Sequence, residues 1–134
     1  MNTSPGQIVK VRRPYYNSAT RSTRFKSRPA MIVRVPAANE IDNDYIILPI
    51  SKISYSEMIS QEYDIKIEKQ AYPKLNLSED VSYIRTHKQT VANPSDMLLN
   101  EPDVVSNLKI EYPDLYYEIL EKMASFQENI ICNS

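Results

Sequence analysis

Short apolar stretches separated by polar turn segments occupy the first two thirds of the chain. Residues 8–12 are rich in β-branched side chains and predict a first strand that ends at Pro14. Residues 30–35 and 45–50 are almost continuously apolar, which predicts two central strands covered on both faces. Residues 15–27 show no hydrophobic period, so we expect a long loop there, and loops of that length are usually functional or disordered.

Later stretches predict shorter strands. Residues 63–68 alternate between apolar and polar side chains, as in a half-buried strand, and residues 81–85 predict another that runs on to residue 91. Asn93 and Pro94 mark a turn or a helix start. Short strands at close spacing, with turn signals between them, are typical of a small, strongly bent antiparallel barrel.

The one long helical pattern lies near the C-terminal end. Pro113 and Asp114 suit a first helical turn, and an apolar stripe at helical spacing then predicts a helix packed across the barrel. A second short helix is expected around residues 103–107. The predicted fold is a single mainly β domain over residues 1–134, with a barrel at about 5–92 and a helical part at about 94–128. The apolar stripe of the long helix after Pro113 consists of Leu115, Ile119, Leu120, Met123 and Phe126.

Length and composition set further bounds. A chain of 134 residues is one domain by the usual size range. It holds no apolar run near the roughly 20 residues that span a bilayer, and its polar N-terminus is unlike a signal peptide. A single cysteine, Cys132, excludes an internal disulfide framework. We therefore expect a cytoplasmic protein without membrane contact.

Charge is distributed unevenly along the chain. Residues 1–39 carry eight cations and no carboxylate, whereas the chain from Glu101 onward carries seven acids against two lysines. Such a cationic third repels itself unless a polyanion or an acidic partner neutralises it. The alternative interpretation is a well-solvated basic loop.

Several kinds of site are disfavoured by simple counting. One histidine and one cysteine do not supply zinc-ligand spacing, and Gly6 is the only glycine, so no phosphate-binding glycine loop is present. Cys132 lies two residues from the end of the sequence, where a catalytic thiolate is not expected. No cofactor is predicted.

Three strand ends carry the candidate catalytic groups Arg28, Ser51 and His87. If they meet at one edge of the barrel, they provide a guanidinium, a hydroxyl and an imidazole, which suit metal-independent phosphoryl chemistry. Each has a structural alternative: Arg28 pairs with an acid, Ser51 caps a turn, and His87 is a packing residue. Residues expected to contact RNA are Arg13, Tyr15, Tyr16, Arg21, Arg24, Lys26, Lys52, Arg85, Thr86 and Lys88.

Four short motifs, taken in order, resemble those of the MazF/PemK toxins, bacterial endoribonucleases of toxin–antitoxin pairs. The resemblance spans roughly residues 5–126. It implies an SH3-like barrel, a homodimer, and metal-independent cleavage of single-stranded RNA through attack of a 2′-hydroxyl. It also implies neutralisation by an antitoxin whose acidic tail occupies the RNA groove. The motifs are Gly6-x-Ile8-Val9, Arg28-Pro29-Ala30-Met31-Ile32-Val33, Pro49-Ile50-Ser51 and Ile84-Arg85-Thr86.

By this resemblance, Arg28 corresponds to the family's catalytic arginine and Ser51 to the hydroxyl residue that touches the scissile phosphate. The 15–27 segment corresponds to a mobile loop that contacts RNA, and residues 84–86 to a stretch near the dimer interface. Several relatives have a carboxylate where this chain has Ser82, and His87 is our hypothesis for its replacement.

Two alternatives remain open on the sequence. One is a non-enzymatic toxin on the same barrel that binds gyrase, as CcdB does. The other is an RNA-binding module that has lost catalysis, which would bind RNA in a salt-sensitive way without forming product.

Overall fold

In the computed structural model, residues 3–38, 43–99 and 104–133 are described, and they form eight strands, two α-helices and three single-turn 3₁₀ helices. The strands are β1 (Gln7–Asn17), β2 (Ser22–Arg34), β3 (Tyr45–Ser51), β4 (Asp64–Glu68), β5 (Val81–Arg85), β6 (Thr90–Ala92), β7 (Met97–Leu98) and β8 (Val104–Asn107). The α-helices are α1 (Leu108–Glu111) and α2 (Pro113–Asn133). The 3₁₀ helices span Ser56–Met58, Pro73–Leu75 and Pro94–Asp96.

All strand pairs are antiparallel, and the sheet order is β4-β5-β3-β2-β1-β7, with β6 added to β3 and β8 added to β1. The sheet curls into a half-barrel with a C-terminal helix, which confirms the predicted mainly β class. Strands β7 and β8 lie beyond residue 92, so the sheet continues into the part of the chain that the sequence predicts to be helical.

Two buried clusters lie on opposite faces of the central strands. One contains Met31, Leu48 and Ile50 and packs against Ile119 of α2. The other contains Ala30, Ile32 and Ile47 and is completed by Ala92 and Met97. Burial on both faces explains why β2 and β3 are continuously apolar here, and confirms the two central strands predicted from sequence.

Helix α2 begins at Pro113, as predicted, and runs to Asn133. Leu115 and Ile119 are buried, and Leu120 and Met123 pack at the edge of the same core. Polar contacts fasten the helix further along: Lys122 Nζ donates to the Glu62 carbonyl at 3.0 Å, and Asn129 Nδ2 donates to the Tyr63 hydroxyl at 2.6 Å. Among the described residues, no helix is both long enough and apolar enough to cross a membrane.

The only glycine in the sequence is required where β1 begins. Gly6 has φ of +89°, and an added Cβ would lie 2.5 Å from the Cβ of Lys109. Its N–H donates to the Ile32 carbonyl, and its own carbonyl accepts from the N–H of Leu108. A side chain is therefore excluded both by the backbone conformation and by the close approach of α1.

The expectation of a long loop at residues 15–27 is wrong. Strand β1 continues through Pro14 to Asn17, and β2 begins at Ser22, so that ten residue pairs face each other from Ile8↔Met31 to Asn17↔Ser22. In the turn, Asn17 Oδ1 accepts from the N–H groups of Ala19 and Thr20. A proline is tolerated because, among the described residues, this part of β1 pairs with β2 alone, so the missing N–H of Pro14 breaks no hydrogen bond to a second strand.

Two further expectations are corrected. The strand predicted to run from residue 81 to 91 stops at Arg85, turns at residues 86–87 and resumes as β6 at Thr90. The short helix expected around residues 103–107 is instead strand β8 from Val104, while residue 103 lies outside the described part. Asn107 Oδ1 accepts from the N–H of Ile110 and caps the N-terminus of α1, which places the helix start after the predicted segment.

Candidate functional site

The two-stranded segment formed by residues 12–28, here called the basic ribbon, extends beyond the buried part of the sheet. It carries six arginine and lysine side chains and no carboxylate. Residues directly opposite each other in an antiparallel pair share a face. The pairs Arg13↔Lys26 and Tyr15↔Arg24 therefore lie on one face with Arg28, which gives that face four cations and one tyrosine.

Aromatic side chains accompany these cations on both faces. Lys26 Nζ lies 4.8 Å from the centroid of the Tyr15 ring, and Arg12 Cζ lies 4.8 Å from that of Phe25. Tyr16 and Phe25 are 66% and 55% exposed. Exposed aromatic rings beside cations offer stacking surfaces for bases and charges for phosphates.

Within the described residues, no carboxylate forms an ion pair with any cation of the basic ribbon; the ion pairs found there involve Lys52, Lys66, Lys74, Arg85 and His87. The ribbon therefore presents a concentrated positive field to solvent. Such a field attracts polyanions and speeds their association.

A small cavity of about 50 Å³ lies at the base of the basic ribbon, and Arg13, Arg28 and Ser51 contribute to its lining. Strands β2 and β3 pair with Ala30 opposite Pro49, so extending this register by two residues sets Arg28 beside Ser51. Arg28 therefore lies in the middle of β2, not at a strand end as expected from the sequence, and it meets Ser51 at the end of β3 although the two are 23 residues apart in the chain (51 − 28). One water molecule needs about 10–15 Å³ of such a cavity, so this cavity admits a group of only a few atoms.

A larger cavity of about 300 Å³ lies on the other side of Arg28. Three of its lining residues, Pro29, Ile50 and Arg28, are shared with the small cavity. Lys52, predicted to contact RNA, also lines the larger cavity, as does Ser82, which is 3% exposed. Arg28 therefore stands between two adjoining spaces of very different size.

Sequence reasoning missed Glu79, which lines the larger cavity and lies 3.6 Å from Lys52 Nζ, measured from its Oε2. Glu79 sits between Ser78 and Asp80 in a polar segment, where a solvated carboxylate is the ordinary expectation. Pairing of β5 with β3, at Ile84↔Ile50 and Tyr83↔Ser51, is what carries this segment to Arg28. The sequence of this segment contains no feature that predicts the pairing of β5 with β3.

His87 lies outside both cavities. Its Nδ1 is 3.7 Å from Asp64 Oδ1, and its ring centroid is 5.9 Å from those of Tyr63 and Phe126. Burial lowers the pKa of the imidazole from its ordinary value of 6.5; the Asp64 carboxylate opposes this shift, and Arg85 and Lys88 add to it. The structure brings Arg28 and Ser51 together and does not bring His87 to them, so its catalytic role stays a prediction.

The predicted contacts at the end of β5 differ in accessibility. Arg85 Nε donates to Asp64 Oδ1 at 3.1 Å, and its Nη2 donates to the Met58 carbonyl at the same distance. Thr86 is fully buried, and its hydroxyl donates to the Tyr63 carbonyl at 2.6 Å. These side chains hold residues 58–64 against β5, whereas Lys88 is exposed. A role for Arg85, Thr86 or Lys88 in binding RNA stays a prediction.

In the described part of the chain, no group of three or more His, Cys, Asp or Glu side chains is placed to hold a metal ion. Comparison of the chain with models of known protein families and with curated proteins gives no match. Membership of the MazF/PemK family therefore stays a hypothesis that rests on the four short motifs.

Proposed function

We propose that this protein is a MazF/PemK-type endoribonuclease toxin that binds single-stranded RNA along the basic ribbon and cleaves it at the small cavity. The observation that carries the proposal is the meeting of Arg13, Arg28 and Ser51 around one cavity at the base of that ribbon. The walls of this cavity are mostly apolar, and the guanidinium groups of Arg13 and Arg28 and the hydroxyl of Ser51 are the groups there that can bind the oxygens of one phosphate.

In this proposal the RNA supplies its own nucleophile. The 2′-oxygen attacks the adjacent phosphorus, the bond from phosphorus to the 5′-oxygen breaks, and the products are a 2′,3′-cyclic phosphate and a 5′-hydroxyl. The 2′-hydroxyl loses its proton and the leaving 5′-oxygen gains one, so the reaction consumes no water, metal or cofactor. Arg13 and Arg28 stabilise the charge that develops on the phosphate oxygens, and Ser51 donates a hydrogen bond to one of them.

The same charge distribution supports the proposed partner. A cationic ribbon without described acidic partners suits an antitoxin whose acidic tail competes with RNA for this surface. We further propose an SH3-like closure of the half-barrel, a homodimer and a cytoplasmic location; the lone cysteine, Cys132, is consistent with a reducing compartment.

The placement of His87 favours a second candidate, an RNA-binding module that does not cleave. The sole histidine lies outside both cavities, beside Tyr63, Asp64 and Phe126, so proton transfer at the phosphate would need another group. In that case the protein binds RNA through the ribbon in a salt-sensitive manner and forms no product.

Cleavage of a long single-stranded RNA in EDTA tests the proposal, with wild type compared with Arg28→Ala. We expect Arg28→Ala to lower the cleavage rate by about 100-fold or more, because it removes a charged donor from the developing negative charge. Lys69→Ala is the matched control, since Lys69 is an exposed cation in the turn after β4, and it should cleave at the wild-type rate.

Unchanged cleavage by Arg28→Ala, with circular dichroism showing that the variant is folded, would remove Arg28 from the mechanism. RNA binding by wild type without any product would favour the non-cleaving module. No binding of RNA, together with tight binding to gyrase, would favour the CcdB-like alternative.

A further inference from the structure

The two cavities that adjoin Arg28 differ in what they can hold. The smaller, at about 50 Å³, is lined by Arg13, Arg28 and Ser51. The larger, at about 300 Å³, reaches the lower end of the roughly 300–1,000 Å³ range of small-molecule sites. A phosphate in the small cavity would therefore have space for one of its attached nucleosides in the larger one.

The lining of the larger cavity also suits a nucleoside. Pro29 gives the cavity an apolar wall against which a planar base can lie, and the nearly buried Ile50 and Leu77 add small apolar areas to it. Lys26 and Lys52 are cations at the same cavity and can hold the flanking phosphates. Polar and charged side chains make up most of the lining, so a bound base would be held by hydrogen bonds as much as by apolar contact.

Glu79 is the only carboxylate among the described residues that line this cavity. A carboxylate repels phosphate, so its favourable partners in a bound nucleotide are a ribose hydroxyl and the N–H donors of the base, and probes with a 2′-O-methyl group leave only the base donors. Its one charged partner in the described part, Lys52, lies 3.6 Å away, beyond ordinary hydrogen-bond distance. Both oxygens of Glu79 are therefore available as acceptors.

We propose that the larger cavity is a nucleobase subsite next to the scissile phosphate, and that Glu79 selects guanine there. Guanine is the one RNA base with two neighbouring N–H donors on a single edge, at N1 and N2, and these match the two oxygens of a carboxylate. Adenine and cytosine offer one amino group, and uracil offers one N–H between two carbonyls that a carboxylate repels. The inference rests on the proposed RNA-binding function for its class of ligand.

Binding of non-cleavable RNA tests the subsite directly. The probes are fluorescent 2′-O-methyl pentanucleotides of sequence UUXUU, in which X is guanine, inosine, adenine, cytosine or uracil. We expect wild type to bind the guanine probe about tenfold more tightly than the adenine probe, since a bidentate base contact contributes about that much or more. Inosine lacks the N2 amino group and should fall between them.

The charge-neutral variant Glu79→Gln should bind the guanine probe about tenfold more weakly and the other probes within about twofold of wild type. Glu79→Gln replaces one acceptor oxygen by a donor, whereas the second variant, Glu79→Ala, removes both acceptors and should give the same pattern. Glu68→Gln is the matched control, because Glu68 is an exposed carboxylate on β4 that does not line this cavity. Equal binding of all five probes by wild type would contradict the proposal that the larger cavity is a nucleobase subsite that selects guanine.

Cleavage mapping separates a failure of this inference from a failure of the proposed function. Cleavage of RNA without preference for guanine at the cut site would contradict guanine selection by Glu79 and would still support the proposed endoribonuclease activity. A guanine preference in binding that Glu79→Gln removes, without cleavage, would support the subsite and overturn the nuclease. If Glu79→Gln slows cleavage equally at every sequence, Glu79 acts as a proton acceptor and not as a selector of guanine. No binding of any probe would overturn both.

Discussion

Strands β1 and β2 are one continuous antiparallel pair, yet their two ends have opposite characters. Near Ile8 and Ile32 the side chains of both faces are buried. From Arg12 to Arg28 the same pair is exposed and cationic, and its aromatic rings point to solvent. The buried end supplies the apolar burial that stabilises the fold, so the other end is free to carry groups that would be unfavourable inside. The buried end accounts for stability, and we propose that the exposed end serves binding.

The largest expected effect is a loss of stability when a side chain at the buried end of the strand pair is truncated. Ile32→Ala removes a fully buried side chain and should lower the free energy of unfolding by about 2–5 kcal/mol, measured by urea denaturation. RNA affinity per folded molecule should not change. Tyr16→Ala, the matched variant in the basic ribbon, should shift stability by less than about 0.5 kcal/mol. Equal losses of stability from the two variants would contradict this division of the strand pair.

A smaller effect, on binding alone, should come from the exposed end. Arg24→Gln removes one cation of the basic ribbon and should reduce the slope of log affinity against log salt by about 0.7, the value for one phosphate contact on a single strand. Fluorescence anisotropy at several salt concentrations measures this slope. Stability should be unchanged, because Arg24 is exposed and pairs with no described carboxylate. A wild-type slope in Arg24→Gln would show that this part of the ribbon does not contact RNA.

The smallest effect should appear in the pH dependence of stability. Burial lowers the pKa of His87 below 6.5, so the unfolded chain binds a proton more readily than the folded chain. The stability contributed by neutral His87 is therefore present above pH 6.5 and lost as the pH falls through the folded-state pKa. Thermal unfolding at pH 7.5 and 5.5 should show a larger loss for wild type than for His87→Gln. The same loss in both proteins would exclude His87 as its source.

Elements that bury apolar side chains were predictable, because a continuous apolar run or a hydrophobic period reports burial. The apolar runs predicted the central strands and the apolar stripe predicted α2, while Pro113 marked the start of the helix. The strands of the basic ribbon were not predicted because both of their faces are exposed to solvent. Polar residues therefore occupy both faces, and the sequence shows no hydrophobic period there. Hydrogen bonds between β1 and β2 hold the ribbon instead, and that pairing is not visible in either segment alone.

The sequence by itself determined the class of the fold, the cationic character of the first third of the chain, and Arg28, Ser51 and His87 as candidate groups. Tertiary structure alone decided which of these groups meet. The register of β2 against β3 brings Arg28 to Ser51, and the pairing of β5 with β3 adds Glu79, while the turn after Arg85 directs His87 to Asp64 and Phe126. Registers are set by the packing of both buried clusters at once, and that is a property of the whole domain.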